Sequence, residues 1–241
     1  MIEEVVLILP AYNAGRTIEH VFSRIPEAAA RRIRRYVVVD DGSTDDTVEA
    51  VRRLQRSLPT LELIRHPENR GYGAAEKTLL DRARELGAEV AVLLHSDGQY
   101  APEKIPDLLA PLDDDTADIV QGSRMLGGNA FGTMPFYKFV ANKCLTAIEN
   151  RAFGLNLAEY HSGYMLYSRK AMETIPYGKL SGSFDFDLEM LVMARVKGLR
   201  VKEMPIPTIY AGEVSYLNPI AYGLDVLRVV RDYRRGKYHR L

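Results

Sequence analysis

Residues 90–94, Val-Ala-Val-Leu-Leu, form an unbroken apolar run that ends at once in His95, Ser96, Asp97, Gly98, Gln99 and Tyr100. A short apolar run bounded by polar residues reads as a strand buried on both faces, the condition of an interior strand in a parallel sheet. That reading constrains the whole chain. Parallel strands need crossover connections, usually helices, and ligands of open α/β sheets bind beyond the carboxyl ends of the strands. Asp97 is delivered to that edge.

The flanking pattern agrees. Apolar runs at 5–9, 36–39 and 61–64 alternate with helical periodicities. Ile18, Val21, Phe22 and Ile25 mark a helix over about 17–25, stopped by Pro26; Val48, Val51, Leu54 and Leu58 mark a second. A third opens in the glycine loop Asn69 to Ala75 and closes at Gly87, a natural C-terminal stop. A helix over 102–112 and a strand over 118–121 continue the alternation. The expected fold class is α/β, a sandwich around a mixed, mainly parallel central sheet. From Gly122 the rhythm changes. Gly127, Gly128, Asn129 and Gly132 mark a loop, and the aromatics after it read either as a covering segment or as helix core. Strands are expected over 164–167 and 200–205, and helices over 186–196 and 218–235. Residues 1–217 are expected to form one domain, with 218–241 a basic amphipathic extension of it.

Lys plus Arg number 32 and Asp plus Glu number 32, so no net field draws in nucleic acid, and no nucleic-acid partner is expected. One cysteine, Cys144, excludes an internal disulfide and points to a reducing, cytoplasmic compartment. No apolar run approaches the roughly 18 residues that span a bilayer. The expectation is a soluble or peripheral protein. The last helix carries Arg228, Arg231, Arg234, Arg235, Lys237 and Arg240, which suits either peripheral contact with an anionic membrane face or a solvated surface.

Four loops follow successive expected strands: Pro10-Ala11-Tyr12-Asn13, Asp40-Asp41-Gly42-Ser43, Asn69 to Ala75, and His95 to Tyr100. In a parallel sheet they share one edge, so their polar groups converge. Asp40 and Asp41 suit either a helix N-terminus or the polar edge of a base and ribose hydroxyls. Asp97 and Gln99 offer oxygen ligands to Mg²⁺ or Mn²⁺, ions usually held by one or two carboxylates plus substrate phosphates. The glycine loop lacks the lysine of a Walker loop. Asp185, Asp187 and Glu189 suit either the lining of the cleft or, as expected here, the capped and solvated start of a helix.

Taken in order, Pro10-Ala11-Tyr12-Asn13, Asp40-Asp41-Gly42-Ser43, Asn69-x-Gly71-x-Gly73-x-Ala75, Asp97-Gly98-Gln99, Gly122-Ser123-Arg124 and Ser162-Gly163-Tyr164 resemble the family-2 glycosyltransferases of the GT-A fold. The branch most similar is that of dolichol-phosphate mannosyltransferases and other polyprenyl-phosphate glycosyltransferases. The resemblance implies a metal-dependent, inverting transfer from a UDP- or GDP-linked sugar to a lipid phosphate. It implies that Pro10, Ala11, Tyr12, Asn13, Asp40, Asp41, Gly71, Ser96, Arg124 and Lys138 bind the nucleotide sugar and its phosphates. It implies Asp97 and Gln99 as metal ligands, Asp97 with Glu159 as the catalytic carboxylates, and Glu159 taking a proton or orienting the acceptor, with His161 as an alternative base.

The sequence departs from that pattern at named places. His95 stands where relatives carry the first acid of an Asp-x-Asp motif, Glu159 where they carry Asp, and Lys138 where they often carry Arg. Ala14 replaces a glutamate, and residues 211–216 lack the usual basic side chains. Two other functions share such a cleft: sugar-nucleotide synthesis from a triphosphate, and non-catalytic nucleotide-sugar binding.

Overall fold

The computed structural model describes residues 2–127, 130, 134–209 and 219–241. Seven strands form one sheet: β1 (Val5–Ala11), β2 (Ile33–Asp40), β3 (Leu61–Arg65), β4 (Val90–Leu93), β5 (Ile119–Ser123), β6 (Met165–Ser168) and β7 (Val201–Pro205). Their order is β3-β2-β1-β4-β6-β5-β7. All neighbouring pairs are parallel except those of β6, which runs antiparallel to both β4 and β5. The sheet is therefore mixed and mainly parallel, as the alternation of elements implies.

Alternate side chains along each strand feed two cores. Val6, Ile8, Val37, Val39, Ala91 and Leu93 face one layer of helices, whereas Val5, Leu7, Leu9, Val38, Val90 and Val92 face the other. Burial on both faces explains why β1, β2 and β4 read as continuous apolar runs. The second layer contains α1 (Ile18–Ser23), α3 (Thr47–Ser57) and α5 (Ile105–Asp113), with the short α2 (Glu27–Ala30) beside α5. The helix expected over 17–25 is thus shorter, and Pro26 precedes a separate turn. The first layer contains α4 (Tyr72–Glu85), α7 (Arg169–Thr174), α8 (Phe186–Lys197) and α9 (Pro219–Arg234), the last through Val226, Val229 and Val230.

One long helix, α6 (Phe136–Phe153), was not legible as such, and its composition says why. Its buried side chains include Asn142, Thr146 and Glu149, whereas Phe136 and Tyr137 are 70% and 65% exposed. Helix recognition relies on an apolar face turned inward; here much of the inward face is polar. The reading of Phe136 and Tyr137 as helix core is corrected accordingly. Residues 128–129, 131–133 and 210–218, including most of the glycine-rich loop and all of segment 211–216, lie outside the described residues.

The edge of the sheet opposite the expected site is tied by Asp118. Its buried carboxylate accepts from Arg200 N (2.7 Å), Arg200 Nε (3.0 Å), Arg200 Nη2 (2.9 Å) and Lys170 Nζ (3.2 Å). The bond to Arg200 holds its carboxyl well below the usual range. A group depressed in the folded state stabilises the fold above its unfolded pKa, near 3.9, and that contribution is lost as pH falls through the folded value. Asp118→Asn is expected to cost about 1–3 kcal/mol at neutral pH and to flatten the acid limb of stability. Urea unfolding from pH 7 down to pH 2 measures both.

Candidate active site

Because β1 to β5 run in one direction among themselves, their carboxyl ends share an edge, and β6, running the other way, begins there. Asp40, Asp97 and Arg124 follow strand ends, and Ser162-Gly163 precede β6 on the same side. The loops are stapled together. Ser96 Oγ donates to Pro10 O (2.8 Å), and Thr17 Oγ1 donates to Ser96 O (2.7 Å). Asn13, in a left-handed conformation at φ 50°, takes Ser43 Oγ on its N–H (2.9 Å) and accepts from Thr44 N through Oδ1 (2.9 Å). Asp41 N donates to Ala11 O (2.8 Å). Tyr12 stands 36% exposed at this edge.

The two acids at the end of β2 do different work. Asp41 accepts from Arg70 N (3.0 Å), Gly71 N (2.9 Å) and His66 Nδ1 (2.6 Å), so its carboxylate is spent holding the glycine loop. Asp40 accepts from Ser43 N through Oδ1 (3.2 Å), while buried Oδ2 has no hydrogen bond and sits 3.5 Å from Arg65 Nε. Gly71 needs its glycine: φ is 94°, and a Cβ would lie 2.7 Å from Gly182 O.

Beyond β4, Gly98 takes φ 82° and Asp97 Oδ1 accepts the N–H of Gln99 (2.9 Å), closing a tight turn. Among the described residues no three His, Cys, Asp or Glu side chains gather around one ion site. One carboxylate and one carboxamide are a small donor set, which fits an ion whose remaining ligands come from phosphates and water. His95 lies beside them, and its burial lowers the imidazole's affinity for a proton, with the Asp97 charge acting the other way. Its Nε2 is 2.8 Å from Tyr72 Oη, which donates onward to Asp187 Oδ2 (2.8 Å). Burial raises the carboxyls of both Asp187 and neighbouring Glu76, the latter further through the Asp187 charge.

This corrects the expectation for 185–189. Asp185, Asp187 and Glu189 are buried and bonded: Arg228 Nη2 donates to Asp185 (2.7 Å), and Tyr238 Oη to Glu189 (2.6 Å). They join α8 to its neighbours and do not solubilise it. No side-chain cap hydrogen bond forms at Asp185.

On the far side, Glu159 is wholly buried and gathers Arg124 N, Arg124 Nη2 (2.8 Å), Met125 N (3.3 Å) and Asn142 Nδ2 (3.3 Å). Burial pushes its carboxyl up, but the Arg124 charge and hydrogen bonds outweigh that and hold it below the usual range. A carboxylate so occupied is poorly suited to accept a proton; it positions Arg124. Arg124 Nη2 also donates to His161 O (2.7 Å). His161 Nδ1 is 3.0 Å from Tyr222 Oη, and its Nε2 lies 3.3 Å from buried Glu149. Lys138 is half-buried in the first turn of α6. Tyr72, Glu149 and Tyr222 carried no signal in the sequence beyond their types; only the packing of α4, α6 and α9 brings them together here.

Known proteins match this arrangement. Residues 6–175 match the profile of Glycosyl transferase family 2. The chain belongs to that family. It is a glycosyltransferase of the GT-A fold, in the polyprenyl-phosphate branch. It is 31% identical over 216 residues to a UDP-N-acetylglucosamine–dolichyl-phosphate N-acetylglucosaminyltransferase of Methanococcus voltae, covering 85% of each chain. It is 28% identical to the polyprenol monophosphomannose synthase of Mycolicibacterium smegmatis, covering 85% of this chain and 77% of that one. Among solved structures, the glucosyl-3-phosphoglycerate synthase of Mycobacterium tuberculosis, crystallised with Mn²⁺, UDP and phosphoglyceric acid, superposes with a TM-score of 0.69 at 20% identity, covering 97% of this chain and 79% of that one.

Within this glycosyltransferase, Glu159→Ala strands a guanidinium that is only 16% exposed and leaves two backbone N–H groups without their acceptor. The expected loss is about 3–5 kcal/mol of stability, read by chemical denaturation. A loss below 1 kcal/mol would remove Glu159 from its role as the organiser of this wall.

Proposed function

We propose that the enzyme transfers a sugar from a UDP- or GDP-linked donor to a polyprenyl or dolichyl phosphate, directly and with inversion at the anomeric carbon. The observation that carries this reading is the convergence of Asp40, the glycine loop, Asp97–Gln99 and Arg124 on one sheet edge, in a chain whose relatives are named for lipid-phosphate acceptors. Asp40 and Tyr12, at the same strand-end edge, would meet the nucleoside. Mg²⁺ or Mn²⁺, held by Asp97 and Gln99, would neutralise charge on the departing diphosphate. Arg124, aimed by Glu159, and Lys138 would present cations to phosphate oxygens.

A phosphate acceptor is already ionised near neutral pH, so the transfer needs little general-base help. That agrees with a Glu159 carboxylate committed to Arg124. No helix among the described residues is long and apolar enough to cross a membrane. On α9, Ile220, Leu224 and Leu227 are exposed and the following turns carry Arg231 and Arg234, which supports contact with an anionic membrane face near the lipid acceptor. Residues 1–217 would then be the catalytic domain and 218–241 its membrane-facing extension.

Asp97→Ala is expected to lower metal-dependent transfer to a polyprenyl phosphate by about 100-fold or more, while the unfolding midpoint without metal stays at the wild-type value. Wild-type turnover in this variant would sink the assignment.

A further inference from the structure

The segment 181–184, which leads into α8, lies on the glycine loop. A Cβ on Gly73 would stand 2.7 Å from Ser181 O, as one on Gly71 would from Gly182 O, so glycine at both positions lets the two backbones touch. That contact delivers Phe184 to Tyr72, the first residue of α4. Their rings are stacked, with centroids 5.5 Å apart and planes 18° apart. Tyr72 cannot turn away from this stack. Its Oη lies 2.8 Å from His95 Nε2 and 2.8 Å from Asp187 Oδ2, and its ring meets the His95 ring edge-on at 5.3 Å. The His95 ring is held in turn by Tyr100, edge-on at 4.9 Å. Phe184 is thus two ring contacts from His95, the residue that opens the turn around Asp97.

Exposure sets Phe184 apart from its neighbours. Phe186, two residues on, is wholly buried, whereas Phe184 is 40% exposed. One face of its ring is spent on Tyr72, so the exposed surface lies on the side away from it. The face of an aromatic ring is negative, and the axial C–H groups of a pyranose carry partial positive charge, so the apolar face of a hexose suits such a ring. An isoprenoid chain suits it less, because that chain needs a continuous apolar track and the flanking residues are Ser181, Gly182, Ser183 and Asp185. In a nucleotide sugar the hexose hangs directly from the diphosphate, next to the groups assigned to the phosphates and the ion.

We propose that Phe184 is the platform on which the donor hexose stacks, with Tyr72 as the positioning residue behind it. This rests on the reading of the cleft as a nucleotide-sugar site. It assigns to the segment before α8 a contact with the sugar alone, made by neither the nucleoside nor the lipid.

The test uses the intact protein, deuterated except at phenylalanine, with Mg²⁺ and either UDP-N-acetylglucosamine or GDP-mannose. In the wild type, nuclear Overhauser contacts should run from a phenylalanine ring to the C–H protons of the hexose in whichever donor binds. Phe184→Ala should lose those contacts and bind that donor about 3–10-fold more weakly, with its affinity for the bare diphosphate unchanged by calorimetry. Phe184→Tyr should restore the donor affinity. Absence of hexose contacts in the wild type, or their survival in Phe184→Ala, overturns the platform and leaves the donor site standing. An equal loss of donor and bare diphosphate in Phe184→Ala also overturns it, as does a defect confined to the KM for undecaprenyl phosphate. Failure of the wild type to bind either donor removes both readings.

Discussion

The Glu159 carboxylate is the interaction on which the cleft depends. It sits at 0% exposure and ties together three segments that are distant in sequence: the end of β5 through Arg124 and Met125, α6 through Asn142, and the approach to β6 through its own backbone. A charge that deep is costly unless it is paired and hydrogen-bonded. Each of its partners is therefore held in place, and Arg124 is fixed as a cation facing the strand-end loops. Glu203 supports the arrangement from β7, accepting from the backbone N–H groups of Ala158 (2.6 Å) and Glu159 (3.1 Å).

The same requirement accounts for the odd character of α6. Its inner face must supply polar partners to Glu159 and His161, so Asn142, Thr146 and Glu149 are buried while apolar side chains such as Val140 and Ile148 are left at the surface. Helix α9 packs on this helix and contributes Tyr222 to His161. The C-terminal helix is thus part of the wall of the cleft as well as a basic surface.

The parallel half of the fold was legible because burial on both faces leaves an unmistakable trace: Val5 to Leu9, Val37 to Val39 and Val90 to Leu93 are apolar without a break. The strand-end loops followed, since direction alone places Asp40, Asp97 and Arg124 together. The rest was hidden for physical reasons. An inward-facing polar helix reverses the pattern that marks a helix. The buried acids at 185–189 resemble a solubilised helix start until their partners, Tyr72, Tyr238 and Arg228, arrive from other elements. Asp41 and Glu159 read as ligand-facing acids, yet the hydrogen bonds they accept come from the protein's own backbone, His66, Arg124 and Asn142, which no local spacing reveals.

The chemistry assigned to this edge requires a nucleoside diphosphate to bring most of the ion's ligands, because the protein itself offers so few. Calorimetric titration of UDP and GDP into the protein, with and without Mn²⁺, measures that dependence directly. Binding of one diphosphate should tighten at least about tenfold when Mn²⁺ is present, since the ion bridges the phosphates to Asp97. Equal affinity with and without the ion, or a preference for the triphosphates, would contradict it.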